Sequence, residues 1–310
     1  MKKRKLKKKV KLIMGAILVG IILIIILCKV ISYRNSIEYK LKELGYSKDE
    51  IKEIITLKDD EINKILSIEY NENILKFINE KYFILKNLDS YLTYYNENKN
   101  VTPSKVVSLV NVKANKEHYD KSVIEPTDTN KNILMLVNKY HYLTEDYNPD
   151  VKNVSVMYAY DNNELLEETL NAYIKMWKAA SKDNITLIAS SSYRTYNEQK
   201  KLWEMRASVN IKEADLSTAR AGFSEHQTGL AIDILTYNAT LSNFEETDAF
   251  KWLSSNAYKY GFILRYPKGK EDITGYEYES WHYRYVGVEV ATQIFEEDIT
   301  FDEYYAYYLE

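Results

Sequence analysis

A run of apolar residues near the N-terminus is the feature that most limits how this chain can fold. Residues 12–28 form 17 positions without a charged side chain, and eight of the eleven residues before them are Lys or Arg. A helix of that length is close to the lower limit for crossing a bilayer, and Lys29 can extend its ammonium group to the interface. Because basic flanks stay on the cytoplasmic side, we predict a cytoplasmic segment at 1–11, a transmembrane anchor at 12–32 and an extracytoplasmic body.

The alternative for the same run is a signal peptide that is cleaved. No A-x-A-like pattern follows it, so the sequence favours an anchor that is kept. The predicted location is therefore a cell membrane crossed once.

The remainder of the chain is acidic. Taking the eight N-terminal basic residues from the 42 Lys and Arg leaves 34, against 45 Asp and Glu. This balance argues against nucleic acid as a partner.

The single cysteine, Cys28, lies in the apolar run, so a disulfide within the chain and a cysteine-based metal site are both excluded. A zinc site here would have to use His, Asp or Glu.

The body divides into two regions by pattern. Residues 33–125 are mainly helical by prediction, with a capping-box pattern at Ser47 and Glu50, although residues 106–112 are strand-like. Residues 126–310 mix helical and strand patterns, which predicts an α+β domain with a small antiparallel sheet and flanking helices. Most of the few Arg and Gly residues fall between 194 and 287, which points to special geometry in that stretch.

Two of the four histidines lie in patterns that can carry chemistry. In the sequence 224–233 (SEHQTGLAID), strand alternation places Asp233 opposite an apolar face, and His226 precedes it in a loop. In 279–285 (ESWHYRY), His282 lies on a second strand, with Glu279 just upstream. We interpret the other two histidines, in polar and Tyr-rich surroundings, as surface or loop residues: His118 and His141.

Two imidazoles and one aspartate can form an open zinc site with a position left for water. A nearby carboxylate that is not a ligand can then take the proton of that water, and Glu279 is the candidate. The alternative is that His226 and Asp233 only hydrogen-bond each other, with His282 an ordinary strand residue. Spacing alone leaves both open, and strand periodicity does not place Glu279 beside His282.

Three motifs in order, 191–195 (SSYRT), 224–233 and 279–282, resemble the VanY-type D-alanyl-D-alanine carboxypeptidases of the zinc peptidase superfamily that includes lysostaphin-like and hedgehog domains. The resemblance covers roughly residues 130–295. It departs from the family pattern at Ser192, which replaces Gly, and at Ala221 and Ser280, which each replace Pro. The resemblance implies a zinc carboxypeptidase domain at 126–310 that removes the C-terminal D-alanine from peptidoglycan stem peptides.

Site residues carry over from the resemblance position by position. It implies zinc ligation by His226, Asp233 and His282, catalysis by Glu279, and a grip on the terminal carboxylate of the substrate by Arg194. It also implies substrate contacts by four residues for which a packing role is the alternative: Ser224, Tyr193, Gln199 and Ser192.

Other functions remain open at this stage. An L,D-carboxypeptidase acting on tetrapeptide stems would use the same motifs. A non-catalytic wall-binding or sensor module of the same fold would be expected to lack the base, whereas Glu279 is present. For Arg284, neutralising charge near the site and an ordinary strand-surface role are both compatible with the sequence.

Overall fold

The computed structural model of this chain describes residues 2–160 and 162–310, so Met1 of the predicted basic segment lies outside the described residues. The chain forms two compact units, Met1–Asn96 and Glu97–Glu310. Together they give the predicted fold class, a small antiparallel sheet with flanking helices preceded by an apolar helix and short helices.

The first unit is helical throughout its described secondary structure. Its long first helix contains one stretch, Lys9–Arg34, that is long and apolar enough to cross a membrane, with its side chains exposed. The capping box at Ser47 and Glu50 is confirmed, since each side chain accepts a hydrogen bond from the other residue's backbone N–H. The helices are α1 Lys2–Arg34, α2 Ile37–Leu44, α3 Lys48–Ile54, α4 Asp59–Leu66, α5 Ile74–Ile78 and α6 Leu88–Glu97.

The strand-like interpretation of residues 106–112 is wrong, because α7 (Pro103–Asn111) is a helix. Thr102 caps its first turn and Pro103 occupies the first helical position, where the missing N–H of proline costs nothing. These start signals outweigh the strand preference of the valines. Since α7 belongs to the second unit, that unit begins before the predicted boundary near residue 125. The predicted division into functional segments stays a prediction.

The second unit is built around a four-stranded sheet in the order β5-β6-β8-β7, with every neighbouring pair antiparallel. Two smaller strand pairs, β1 with β2 and β3 with β4, lie outside it. The strands are β1 Glu125–Pro126, β2 His141–Tyr142, β3 Val151–Asn153, β4 Glu164–Leu166, β5 Ile188–Ser191, β6 Ala231–Leu235, β7 Phe262–Leu264 and β8 His282–Tyr285. The remaining helices are α8 Glu167–Lys182, α9 Tyr196–Ala207, α10 Ile211–Ser217, α11 Asp248–Asn256, α12 Glu271–Thr274, α13 Val288–Glu297 and α14 Phe301–Tyr308.

Strand β6 has the predicted alternation. Leu230, just before the strand, joins Ile232 and Ile234 in the hydrophobic core, and all three are fully buried. Helix α8 contributes Tyr173 and Met176 to the same core. The opposite face of β6 is therefore free to present Asp233 to a cavity.

The surface interpretation of His141 is wrong. Its side chain is buried on β2, where Nδ1 lies 3.0 Å from Asn138 Oδ1 and Nε2 lies 3.0 Å from Glu125 Oε1. Burial lowers the pKa of His141 to about 4, so the ring is neutral at neutral pH. Lys113 also forms an ion pair with the Glu125 carboxylate. Polar contacts between side chains therefore explain why His141 lies here.

Candidate metal centre

Three potential metal ligands converge from a short turn and two neighbouring strands. His226 lies in a 3₁₀ turn (Glu225–Thr228), while Asp233 on β6 and His282 on β8 are directly paired across the sheet. Gly229 ends the turn with φ +71°, a left-handed conformation that redirects the chain into β6. One ligand atom from each of the three side chains lies within 4.8 Å of the other two. The convergence expected of these residues is thus present in the structure.

The ring of His226 is held with one nitrogen free. Its Nδ1 lies 2.6 Å from the carbonyl oxygen of Ser192. Because a carbonyl oxygen can only accept, Nδ1 carries the proton and Nε2 keeps its lone pair, 3.5 Å from Asp233 Oδ2. Burial lowers the pKa of His226, which favours the neutral, metal-binding form.

His282 and Asp233 form a buried pair that favours a positive charge beside the carboxylate. Nδ1 of His282 lies 3.0 Å from Asp233 Oδ1. Burial alone would lower the pKa of His282, but hydrogen bonds to carboxylates raise it to about 9. Burial would likewise raise the pKa of Asp233, but the two imidazoles hold it below its usual range. A site that favours positive charge this strongly, with three converging donor atoms, fits a divalent metal ion.

Glu279 lies beside this group without belonging to it. It precedes β8 in a loop fixed by a hydrogen bond from its N–H to the carbonyl oxygen of Tyr266, 3.1 Å long. The turn brings Oε2 to 3.7 Å from His282 Nδ1. Burial raises the pKa of Glu279 to about 7, and His282 opposes that rise most, followed by Arg206 and Arg194. A carboxyl group with a pKa near neutrality suits proton transfer.

Arg194 is positioned by neutral partners. Nη1 donates to Gln199 Oε1 at 2.8 Å, and Nη2 donates to Ser191 Oγ at 2.9 Å. Gln199 is itself fixed, since Nε2 donates to the carbonyl oxygen of Ala219 at 2.6 Å. Across residues 2–160 and 162–310, no ion pair within 4.0 Å joins a carboxylate to the Arg194 guanidinium. The group therefore keeps its charge available for an anionic ligand.

All of these side chains face one cavity of about 560 Å³. Its wall includes the metal-binding group together with Glu279, Arg194, Gln199 and Ser224. Ser224 also caps the turn, since its Oγ accepts from the N–H of His226 at 3.3 Å.

Two of the predicted substrate-contact residues are placed elsewhere. The side chain of Ser192 is buried, and its Oγ accepts from the N–H of Glu164 at 2.8 Å. The Tyr193 hydroxyl donates to Asn148 Oδ1 at 3.1 Å. Neither is among the described residues that line the cavity, so the geometry gives no support to their predicted contacts. Ser192 reaches the site through its carbonyl oxygen, which orients His226.

Sequence reasoning missed Arg206 and Glu225 as residues of the site and left the role of Arg284 open. Arg206 lines the cavity from α9, where it lies seven residues after Gln199 and on the same face of the helix. Glu225 lies directly behind His282 and is fully buried, as is Arg284, so the strand-surface alternative for Arg284 is wrong. The sequence did contain a signal for these residues, namely their closeness to predicted ligands. Glu225 directly precedes His226, and Arg284 follows His282 by two positions.

A small antiparallel sheet presents a buried His-Asp-His group to a cavity, which is the arrangement of a hydrolase that could hold a divalent metal ion. The family model for VanY, D-alanyl-D-alanine carboxypeptidase, matches residues 162–288. The chain belongs to this carboxypeptidase family.

Relatives agree with that assignment. YodJ of Bacillus subtilis (strain 168), a provisionally named carboxypeptidase, is 41% identical over 59% of this chain and 70% of its own length. A D-alanyl-D-alanine carboxypeptidase of Enterococcus faecalis is 35% identical over 55% of this chain and 65% of its own length. Among solved structures, the LdcB LD-carboxypeptidase has 39% identity and a TM-score of 0.57, covering 62% of this chain and 94% of that one.

Proposed function

We propose that this protein is a zinc-dependent D,D-carboxypeptidase that removes the C-terminal D-alanine from peptidoglycan stem peptides outside the cytoplasmic membrane. One observation carries the proposal. A single cavity contains a three-donor candidate metal-binding group, a buried carboxyl group with a pKa near 7, and an arginine that has no carboxylate partner among the described residues. The similarity to a D-alanyl-D-alanine carboxypeptidase supports the substrate class.

Zinc is the proposed metal, held by Nε2 of His226, the Asp233 carboxylate and Nδ1 of His282. Two imidazoles and one carboxylate suit zinc, and three protein ligands leave a coordination position open, as in catalytic sites. When bound, zinc supplies Lewis acidity that activates water and polarises the scissile carbonyl group.

Glu279 is the proposed general base and acid. Its carboxylate takes a proton from the attacking water and returns it to the nitrogen of the departing D-alanine. Because its pKa of about 7 is raised by burial, the group can both accept and release a proton near neutral pH.

Arg194 is the proposed anchor for the terminal carboxylate of the substrate. Its guanidinium is held by Gln199 and Ser191 and presents charged donors to the cavity. A fork-shaped cation that binds a free carboxylate favours cleavage at a chain end over cleavage within a cross-link. Ser224 is proposed to contact the substrate from the same wall.

We also propose that α1 anchors the catalytic domain, residues 126–310, to the outer side of the cytoplasmic membrane. The apolar stretch Lys9–Arg34 and the basic residues before it support this orientation. Resistance of the protein to alkaline extraction, together with protease access to its body in wall-free cells, is the expected result. Release of a shortened chain into the medium would favour the signal-peptide alternative.

A second candidate is L,D-carboxypeptidase activity on tetrapeptide stems. The similarity to the LdcB LD-carboxypeptidase, at 39% identity, favours it specifically. Both activities need the same metal-binding group, base and terminal arginine, so substrate comparison has to separate them.

The test uses the full chain purified in detergent micelles and loaded with zinc. It is incubated with a pentapeptide stem ending in D-Ala-D-Ala and with the matching tetrapeptide, and release of D-alanine is followed by mass. The same peptides with amidated C-termini serve as controls.

We expect D-alanine release from the pentapeptide that stops with a chelator and returns with zinc. Release from the tetrapeptide alone would establish the second candidate instead. If neither peptide is shortened by zinc-loaded protein, the proposed function is wrong.

A further inference from the structure

The two ring nitrogens of His282 face different carboxylates. Nδ1 faces Asp233, and Nε2 lies 3.5 Å from Oε2 of Glu225. Within the described parts of the chain, Glu225 is the hydrogen-bond partner found for Nε2. A neutral imidazole carries one proton, so Nδ1 can bind a metal only when that proton sits on Nε2. An acceptor at Nε2 therefore decides whether Nδ1 is available.

Glu225 is held so that one of its oxygens is left for His282. Its side chain is fully buried. Oε1 accepts from Arg265 Nε at 2.7 Å and from Arg284 Nη1 at 2.9 Å. With Oε1 occupied by two guanidinium groups, Oε2 points to the ring of His282.

The guanidinium groups are in turn tied to distant parts of the second unit. Arg265 donates from Nη1 and Nη2 to the Asp302 carboxylate on α14, at 2.5 and 3.3 Å. Arg284 donates from Nη2 to the carbonyl oxygens of Ile133 and Met135, at 2.9 and 2.8 Å. We call Glu225, Arg265, Arg284 and Asp302 the Glu225 network.

Charge balance alone does not explain this arrangement. Two buried arginines are matched by two buried carboxylates, and burying such a set usually brings little net stability compared with apolar side chains. The arrangement does provide a fixed direction for Oε2. Carboxylates placed behind metal-binding histidines in this way set the tautomer and the ring orientation.

We infer that Glu225 is a positioning residue that keeps His282 in its Nε2–H form, and that Asp302 on α14 keeps Glu225 in place through Arg265. The inference rests on the proposed function only in taking His282 as a zinc ligand. It makes the C-terminal helix α14 part of what sets metal affinity.

The first test measures zinc affinity by competition with a chromophoric chelator, using the full chain in detergent. In Glu225→Gln the amide oxygen is drawn to the two arginines, which turns the amide NH₂ toward Nε2. An amide N–H at position 225 would then face the Nε2–H of His282, and this repulsion favours the His282 tautomer with its proton on Nδ1. We expect zinc affinity to fall roughly 10- to 100-fold. Asp302→Asn should also lower the zinc affinity, but by a smaller factor.

Glu168→Gln is the matched control. Glu168 accepts a hydrogen bond from the Tyr285 hydroxyl on the same strand as His282, but it has no contact with the His282 ring. Its variant should bind zinc as the unmodified chain does. Equal zinc affinity in Glu225→Gln and Glu168→Gln would overturn the inference, even if Glu225→Gln also lowers the melting temperature.

A second measurement needs no variant of the network, in case Glu225→Gln does not fold. The zinc-loaded chain is labelled with ¹⁵N-histidine, and the four histidines are assigned by single substitutions. We expect His282 to bind zinc through Nδ1, with a slowly exchanging, hydrogen-bonded proton on Nε2. Binding through Nε2, or rapid exchange of that proton with solvent, would refute the inference. Neither measurement uses a peptide, so failure to cleave stem peptides would count only against the proposed function.

Discussion

Replacing Glu279 by Gln tests the proposed chemistry most directly. Gln has nearly the same size and can keep the buried position, but it cannot accept a proton. The three donor atoms on His226, Asp233 and His282 are unchanged, so the variant should still bind one zinc ion. What is removed is the group whose Oε2 lies 3.7 Å from His282 Nδ1 and whose pKa burial raises to about 7.

The expected loss follows from the role of a general base. Such a group contributes typically 10²- to 10⁴-fold to the rate, which corresponds to about 3–5 kcal/mol of transition-state free energy. The loss should appear in kcat, with a small change in KM, because the proposed anchor for the substrate terminus is Arg194 and not Glu279. Steady-state D-alanine release gives both constants, and metal analysis gives the zinc content.

Glu271→Gln is the control, since Glu271 is exposed and precedes Glu279 by eight residues. It should leave kcat and zinc content unchanged. A Glu279→Gln variant that is fully zinc-loaded and retains more than about a tenth of kcat would refute the assignment of the base, because the smallest expected loss is roughly 100-fold.

Three further predictions concern substrate binding, backbone geometry and pH. In Arg194→Ala, kcat/KM for peptides with a free C-terminus should fall by an amount that corresponds to about 2–5 kcal/mol of transition-state free energy. Any residual cleavage of amidated peptides should fall much less, and equal losses would contradict the proposed binding of the terminal carboxylate by Arg194. Gly229→Ala should lower the free energy of unfolding by about 1–3 kcal/mol in urea titrations, because φ is +71° and a Cβ would lie 3.0 Å from Val151 Cγ1. His141 has a pKa of about 4 in the folded chain and 6.5 as its ordinary value, so the unfolded state takes up the proton first as the pH falls. Stability should therefore drop between pH 6.5 and 4, by up to about 3 kcal/mol, and His141→Gln should remove that part of the slope in tryptophan-monitored unfolding.

Local patterns were enough to predict the elements that present the metal-binding group. The alternation around β6 placed Asp233 opposite Ile232 and Ile234, and the structure has this arrangement because side chains on a strand must alternate. Residues 106–112 show the limit of such patterns. Their valines favour a strand, but the helix-start signal at Thr102 and Pro103 prevailed.

Sequence patterns could not predict the contacts between segments that lie far apart along the chain. A turn, and not strand periodicity, brings Glu279 to His282, and its direction depends on a hydrogen bond to Tyr266. The placement of Ser192 and Tyr193 away from the cavity likewise depends on partners in other loops, Glu164 and Asn148.

The sequence by itself determined which side chains can do chemistry here: the residue types and their order define two imidazoles, two carboxylates and an arginine, and an apolar helix ahead of them. Only the tertiary structure decided which groups face the ring nitrogens of His226 and His282, which carboxylate lies behind His282, and that α14 reaches Glu225 through Arg265. The physical reason is that hydrogen-bond direction and burial depend on groups far apart along the chain, whereas strand alternation and helix capping depend on neighbours within a few residues.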